Sequence, residues 1–429
     1  MSFREKEKSL MKTILITICF AVVAAVLACA ILLAINPNPD RPIHVDSANG
    51  YVQASGTNLY DGEGNLLQFK GVNLGNWFDQ EFWMAVSAVG SFDTGVYTQL
   101  RGDAAMRSNP NLTDADIDKL NELYLDNYIQ ESDFQILAEL GMNTVRIPFT
   151  YFNLSADGEH LRENAFEKLD WAVSMCEKYG LYAIVDLHGT IGSQNMDIHS
   201  GDDSQFNLYG NEENMRLTEE LWKVIAAHYK DNKTVAAYDL LNEPRRAPHK
   251  FGGKINFDFY DRLYRAVRSV DENHLILIEC FSFPFNGACL SRYNWQNICM
   301  EYHIYNLSPL SQLSCLRFYR AAHNLMGYRT PVYIGEWNAF EKESEWADSF
   351  AWFDRQGWSF TSWTYKTNKR LYGISLSNRC NWGLYELDMD PVDLSTATFE
   401  EIAAVYNSVK TENAAQGVAY SMWERYLNG

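Results

Sequence analysis

YDLLNEPR, Tyr238 to Arg245, closes an apolar run that begins at Val235 and reads as a buried strand. Tyr238, Leu240 and Leu241 can fill a core, whereas Glu243 cannot, because an unpaired buried carboxylate is costly. A strand that delivers an acid at its end is placing that acid where it is needed. Seven further runs have the same β-type character: Leu66–Leu74, Asn143–Phe149, Leu181–Leu187, Leu275–Cys280, Ile298–Tyr305, Val332–Trp337 and Phe360–Tyr365. Segments of helical periodicity alternate with them. AFEKLDWAVSMCEKYG puts Phe166, Leu169, Val173 and Cys176 on one face and stops at Gly180, and ESDFQILAELG and FDFYDRLYRAVRSVDENH behave alike. Eight doubly buried strands alternating with helices predict an α/β fold, a (β/α)8 barrel. The long gaps Asp79–Gln130 and Thr190–Glu213 are then expected as loops over one mouth. YVQASGTNLYDGEGNLLQFKG predicts a hairpin, turning at Asp61–Asn65, that feeds the first strand.

Ahead of the barrel, Thr13 to Ile35 runs TILITICFAVVAAVLACAILLAI without a charge, long enough to cross a bilayer, behind a tail carrying Arg4, Lys6, Lys8 and Lys12. The expected organisation is a cytoplasmic tail (1–12), a transmembrane anchor or signal segment (13–35), a proline-containing linker (36–50) and a catalytic domain (51–429). The domain would face the outside of the cell membrane, or be secreted if the segment is cleaved. The formal charge of −19 over 429 residues excludes a nucleic-acid partner, which would call for a basic face. Aromatics at 14% leave room for flat walls against a neutral ligand. No obligate protein partner is evident. The six cysteines beyond the apolar segment lack metal-ligand spacing, so neither a metal nor a cofactor is expected. Sequons stand at Asn111, Asn153, Asn232 and Asn306.

Barrel chemistry gathers at the carboxyl ends of the strands. Reading each run to its end collects Arg146, His188, Asn242, Glu243, His303, Tyr305, Glu336 and Trp363. Singly, such residues are more often salt-bridge or structural groups; together they point to a site. Two glutamates across a mouth suit hydrolysis of a glycosidic bond, in which one donates a proton to the leaving oxygen and the other attacks the sugar carbon. Arg146 and Tyr305 near Glu336 would hold it charged, and Glu243, shielded beside that charge, would keep its proton. Asn242 could bond the sugar 2-hydroxyl and Trp363 could form an apolar floor. Trp77, Trp295 and Trp337 are subsite candidates that could equally be packing.

This set of eight resembles the active-site pattern of glycoside hydrolase family 5, the cellulase family, over roughly residues 50–385. The resemblance implies a retaining mechanism, with Glu243 as acid/base, Glu336 as nucleophile and the two carboxyl groups about 5 to 5.5 Å apart. KGVNLGNW (70–77) and DLHGTIGSQN (186–195) are similar to the exo-β-1,3-glucanase branch, while PRRAPHK (244–250) and NLSPL (306–310) depart from it. The expectation is an exo-acting β-glycosidase on a β-1,3-glucan or related oligosaccharide. The alternatives are an endo-β-1,4-glucanase or mannanase of the same family, and a non-catalytic carbohydrate-binding barrel.

Overall fold

The computed structural model describes residues 44–45, 49–81, 83–90, 98–245, 256–280, 290–305, 310–370 and 382–429. The expected tail, the apolar segment 13–35 and most of the linker lie outside the described residues, as do Cys289, Cys380 and Asn306. Among the described residues no helix is long and apolar enough to cross a membrane.

Three short strands open the fold as an antiparallel sheet: β1 (Gln53–Ser55), β2 (Asn58–Tyr60) and β3 (Leu66–Leu67). The expected turn forms because Asp61 Oδ1 accepts from the backbone N–H groups of Glu63 and Asn65. The run expected as one strand from Leu66 to Leu74 is divided. Leu66 and Leu67 pair with β2, and β4 (Lys70–Asn73) enters the barrel. The break lets Phe69 turn inward, where with Val52 and Leu59 it packs on Ile184, Ala237, Leu275, Leu277, Cys299 and Tyr333 and closes the amino-terminal end of the barrel.

After the two-residue β5 (Ser87–Ala88) come β6 (Thr144–Thr150), β7 (Tyr182–Gly189), β8 (Val235–Asp239), β9 (Leu275–Glu279), β10 (Ile298–Tyr305), β11 (Val332–Asn338) and β12 (Ser359–Ser362). β4 and β6 to β12 form a closed barrel in chain order, every pair parallel. The eight-stranded barrel read from the sequence is therefore present. The helix expected after Phe166 spans Glu167–Tyr179 and ends on Gly180 at φ 68°, the left-handed cap that glycine adopts without steric cost.

The gap from Asp79 to Gln130 is not simply a loop. It carries helices Gln99–Ser108 and Asp114–Tyr128, the second opened by a capping box between Thr113 and Asp116. Ile117, Leu120, Tyr124 and Tyr128 recur at helical spacing on its buried face, a periodicity broken up by the acidic residues between them. Tyr124 and Tyr128 hydroxyls donate to the carbonyls of Asn76 and Lys366, so the helix braces the segments that follow β4 and β12. At the other end, Trp423 of helix Val418–Asn428 packs on Phe350 and Phe360 and donates to Ser362 Oγ, tying the carboxy terminus to the core. Cys176, Cys299 and Cys315 are free thiols, and Cys280 is buried.

Gly335 on β11 is dictated by its neighbour. A Cβ there would lie 1.8 Å from Glu301 Oε1 and 3.0 Å from His303 Nε2. Gly335→Ala is therefore expected to cost about 1–3 kcal/mol through overpacking, read as a lower Tm in thermal denaturation; an unchanged Tm would show that Glu301 can move aside.

Candidate active site

The site is built on a guanidinium. Arg146, midway along β6, is fully buried, and its cost is offset by the acceptors around it. Nε and Nη2 donate to Asp239 Oδ2 at 2.9 and 2.7 Å, and Nη1 donates to Asn73 Oδ1 and to Glu336 Oε1, each at 3.0 Å. Nη2 also meets Asn242 Oδ1 at 2.9 Å and Asp186 Oδ2 at 3.0 Å. Four strands are thereby referenced to one side chain: β4 through Asn73, β7 through Asp186, β8 through Asp239 and β11 through Glu336.

These bonds fix the orientations of Asn242 and His188. An arginine only donates, so Asn242 must present Oδ1 to it and turn Nδ2 toward His188 Nε2, 3.2 Å away. His188 Nε2 accepts, and Nδ1–H donates to Asp186 Oδ2 at 2.7 Å. Burial lowers the His188 pKa to about 3, so the ring is neutral. Trp363, just past β12, stacks on His188 at 5.5 Å and 18°, and only 3% of it is exposed. Gly75 makes room for it, since a Cβ would meet the indole at 2.8 Å.

Glu243 lies four residues beyond the end of β8, in the left-handed region at φ 44°. For a residue with a Cβ this conformation is disfavoured by of order 1–3 kcal/mol and must be held from outside. Buried Glu279, at the end of β9, accepts the Glu243 N–H, and Asn195 Nδ2 donates to the Glu243 carbonyl at 3.3 Å. The clamp aims the side chain across the mouth. A carboxylate oxygen of Glu243, one of Glu336 and a nitrogen of His303 all lie within 4.8 Å of one another. His303 Nδ1 is 2.9 Å from Glu243 Oε1 and 3.5 Å from Glu336 Oε2, and Tyr305 Oη donates to Glu336 Oε2 at 2.7 Å.

Burial raises both glutamates, but not equally. Glu243 is pushed well above the usual carboxylate range by burial and then by the charge of Glu336. Glu336 is raised by burial and pulled back by Arg146 and the Tyr305 hydroxyl. On falling pH, Glu243 takes its proton first. Arg146 and Tyr305 favour charge on Glu336, against a larger burial effect that the sequence does not display.

All eight residues read at the strand ends come together in this cluster. Several others were missed. Asp186, Asp239, Glu279 and Glu301 are fully buried inside the barrel. Burial raises Asp186 to about 7 and Asp239 to about 6, and their carboxyls share hydrogen bonds, so protons replace part of the missing positive charge. For Asp186 and Glu301 the signal was the alternation Asp186-x-His188 and Glu301-x-His303-x-Tyr305, which puts each of these acids on the inward face of its strand. Glu81, raised to about 8 by burial, accepts from Trp83 Nε1 at 2.7 Å. Trp83, Tyr305 and Phe340 surround Trp382, with ring centroids at 4.6, 5.5 and 4.6 Å. The other tryptophan candidates are packing groups: Trp77 bonds the Leu125 carbonyl, Trp295 stacks on Tyr293, and Trp337 packs against Trp346, Phe350 and Phe353.

The cellulase family model (glycosyl hydrolase family 5) matches residues 106–369, more than half of the chain. The chain belongs to glycoside hydrolase family 5. It is 28% identical over 262 residues to a beta-xylosidase of Phanerodontia chrysosporium, covering 60% of this chain and 52% of that one. It is also 28% identical over 281 residues to a probable glucan 1,3-beta-glucosidase A of Aspergillus clavatus, covering 62% and 64%. The match thus spans less than two thirds of either relative. The solved structure of AoRut shares the fold with a TM-score of 0.58 at 20% identity, over 72% of this chain and 91% of that one.

Removing the Tyr305 hydroxyl isolates its effect on Glu336. Tyr305→Phe deletes a donor that favours the carboxylate, so the Glu336 pKa rises. The acidic limb of the kcat/KM pH profile is expected to move to higher pH, with a rate loss of roughly 10- to 100-fold, the worth of a hydrogen bond to a charged group. An unmoved limb would mean that Tyr305 does not act on Glu336.

Proposed function

We propose that this chain is a retaining β-glycosidase that removes sugar units from a β-1,3-glucan or a related oligosaccharide. The observation that carries the reading is the asymmetry of the close glutamate pair, in which Arg146 and Tyr305 contact Glu336. Carboxyl groups about 5 Å apart suit direct attack on the sugar, whereas inversion needs roughly 6.5–9.5 Å to admit a water between them.

In this reading Glu336 attacks the anomeric carbon while Glu243 gives its proton to the departing glycosidic oxygen. The C–O bond to the leaving group breaks as the bond to Glu336 forms. Glu243, now a carboxylate, takes a proton from water, whose oxygen displaces Glu336 and restores both groups. The charge on Glu336 vanishes in the first step and returns in the second, so Arg146 and Tyr305 stabilise it as a leaving group. His303, within reach of both carboxyls, keeps them at a fixed separation. Asn242, oriented by Arg146 and His188, is the group we assign to the sugar 2-hydroxyl, and Trp363 walls the same subsite. The glucan 1,3-beta-glucosidase relatives support the linkage, as do the segments 70–77 and 186–195. The domain from about residue 51 onward would be held at a membrane by residues 13–35, on the strength of that segment's length and apolarity.

Hydrolysis of β-1,3-, β-1,4- and mixed-linkage glucans, mannan and aryl glucosides and xylosides, with products sized and the first anomer identified by NMR, tests the proposal. The expected outcome is glucose of retained configuration from β-1,3-glucan. Glu243→Ala and Glu336→Ala should each lower turnover of unactivated substrate by about 10²-fold or more. Full turnover in Glu336→Ala, or an inverted first product, would overturn it.

A further inference from the structure

The ladder between β7 and β8 ends at Asp186 and Asp239, so Asn242 and Glu243 lie beyond its last pair. Past that pair the Asn242 N–H still reaches the Leu187 carbonyl, at a long 3.3 Å. The carbonyls of this stretch are held by side chains instead. Leu240 accepts from Trp222 Nε1 at 3.0 Å, Leu241 from Tyr260 Oη at 3.2 Å, Asn242 from Gln194 Nε2 at 2.9 Å and Glu243 from Asn195 Nδ2 at 3.3 Å. Trp222 and Tyr260 reach in from the helices Glu212–Tyr229 and Phe257–Arg268. Gln194 comes from the loop after β7 and does more than cap one carbonyl. It is fully buried, and Nε2 also donates to the His188 carbonyl at 2.6 Å. Oε1 accepts from the Thr190 N–H and from the Thr190 hydroxyl, each at 3.0 Å. These partners fix the amide orientation, since a backbone N–H only donates and a carbonyl only accepts. The Gln194 carbonyl in turn accepts the Arg245 N–H at 3.1 Å, on the far side of Pro244, which has no N–H of its own.

Both donors and both acceptor lone pairs of the Gln194 amide are thus used, and its two donors are spent on the backbones of His188 and Asn242. These are the residues whose side chains face each other, Asn242 Nδ2 toward His188 Nε2 at 3.2 Å. Arg146 grips Asn242 through Oδ1 alone. The side-chain contacts fix how Asn242 is rotated, and the Gln194 amide fixes how far its backbone stands from that of His188. We propose that Gln194 is a positioning residue for Asn242: by spanning the ends of β7 and β8 it sets where the second Nδ2 hydrogen points, and with it the preference for a sugar that carries a 2-hydroxyl. The inference rests on the assignment of Asn242 to that hydroxyl and deepens it. A displaced donor costs most in the transition state, where the bond to the 2-hydroxyl is tightest, so the loss falls on kcat.

The test compares kcat/KM for 4-nitrophenyl β-glucoside and for its 2-deoxy analogue, a ratio that measures what the 2-hydroxyl contributes. Gln194→Met keeps the bulk and removes both donors. The ratio should fall by about 10-fold, the scale of one hydrogen bond, chiefly through kcat on the glucoside. A variant that is only less stable loses activity on both substrates alike and leaves the ratio where it was. Gln194→Glu can donate at most one hydrogen to the two carbonyls, so its ratio should lie between those of the wild type and Gln194→Met. In an Asn242→Ala background Gln194→Met should lower the ratio no further. An unchanged ratio in Gln194→Met, or an equal additional fall in the Asn242→Ala background, would overturn the proposal. If Gln194→Met does not fold, Gln194→Glu takes its place, with a lowered ratio supporting the proposal and an unchanged one overturning it. Asn242→Ala alone is the control on the underlying reading. A ratio that survives there refutes the 2-hydroxyl assignment and this proposal with it, whereas a ratio lost there and kept in Gln194→Met refutes only the role of Gln194.

Discussion

A single buried guanidinium sets the geometry of this site. Arg146 cannot be left alone in a barrel interior, so the fold surrounds it with Asp186, Asp239, Glu301, Glu336 and two asparagine oxygens contributed by different strands. The constraint works in both directions. The acids neutralise the arginine, and the arginine favours the charged form of Glu336, to which it donates. Because its planar fork has fixed donor directions, it also orients Asn242, which orients His188, against which Trp363 lies. A lysine would supply the charge without that geometry.

The cluster carries more carboxyl groups than Arg146 can balance, and protons make up part of the difference. Burial raises Asp186 to about 7 and Asp239 to about 6 while Arg146 pulls them back, and burial also pushes Glu279 and Glu301 well above the usual carboxylate range. Glu279 has a further use, since it accepts the N–H of a residue held at positive φ. The backbone strain at Glu243 is thus opposed by a group buried one strand away, which places the acid beyond the strand end and across the mouth from its partner. The base of the barrel, closed by Phe69 and the three-stranded sheet, is apolar, so the polar interior begins only at the level of Arg146.

The barrel was legible because its strands are short apolar runs separated by periodic helices, and the eight mouth residues because they end those runs. What stayed hidden had a physical reason in each case. Asp186, Asp239, Glu279 and Glu301 stand inside runs whose apolar neighbours read as core, and the energetic rule against buried acids conceals them until Arg146 is seen among them. The division of the first strand at Phe69 depends on what lies beneath the barrel. Helix Asp114–Tyr128 was obscured by its density of acids, although its buried face keeps a regular spacing. Gln194, Glu81 and Trp382 lie in segments outside the barrel strands, where position relative to the site is set by the path of the chain and not by any period.

In the proposed mechanism Glu336, whose charge Arg146 favours, becomes covalently bonded to the sugar during turnover. Reaction with a 2-deoxy-2-fluoro-β-glycosyl fluoride, which slows release of such an adduct, followed by peptide mass spectrometry, addresses this directly. The proposed mechanism predicts a single glycosyl adduct on the peptide containing Glu336. Labelling of Glu243 or another carboxylate, or turnover of normal substrate with no adduct and an inverted product, would contradict it.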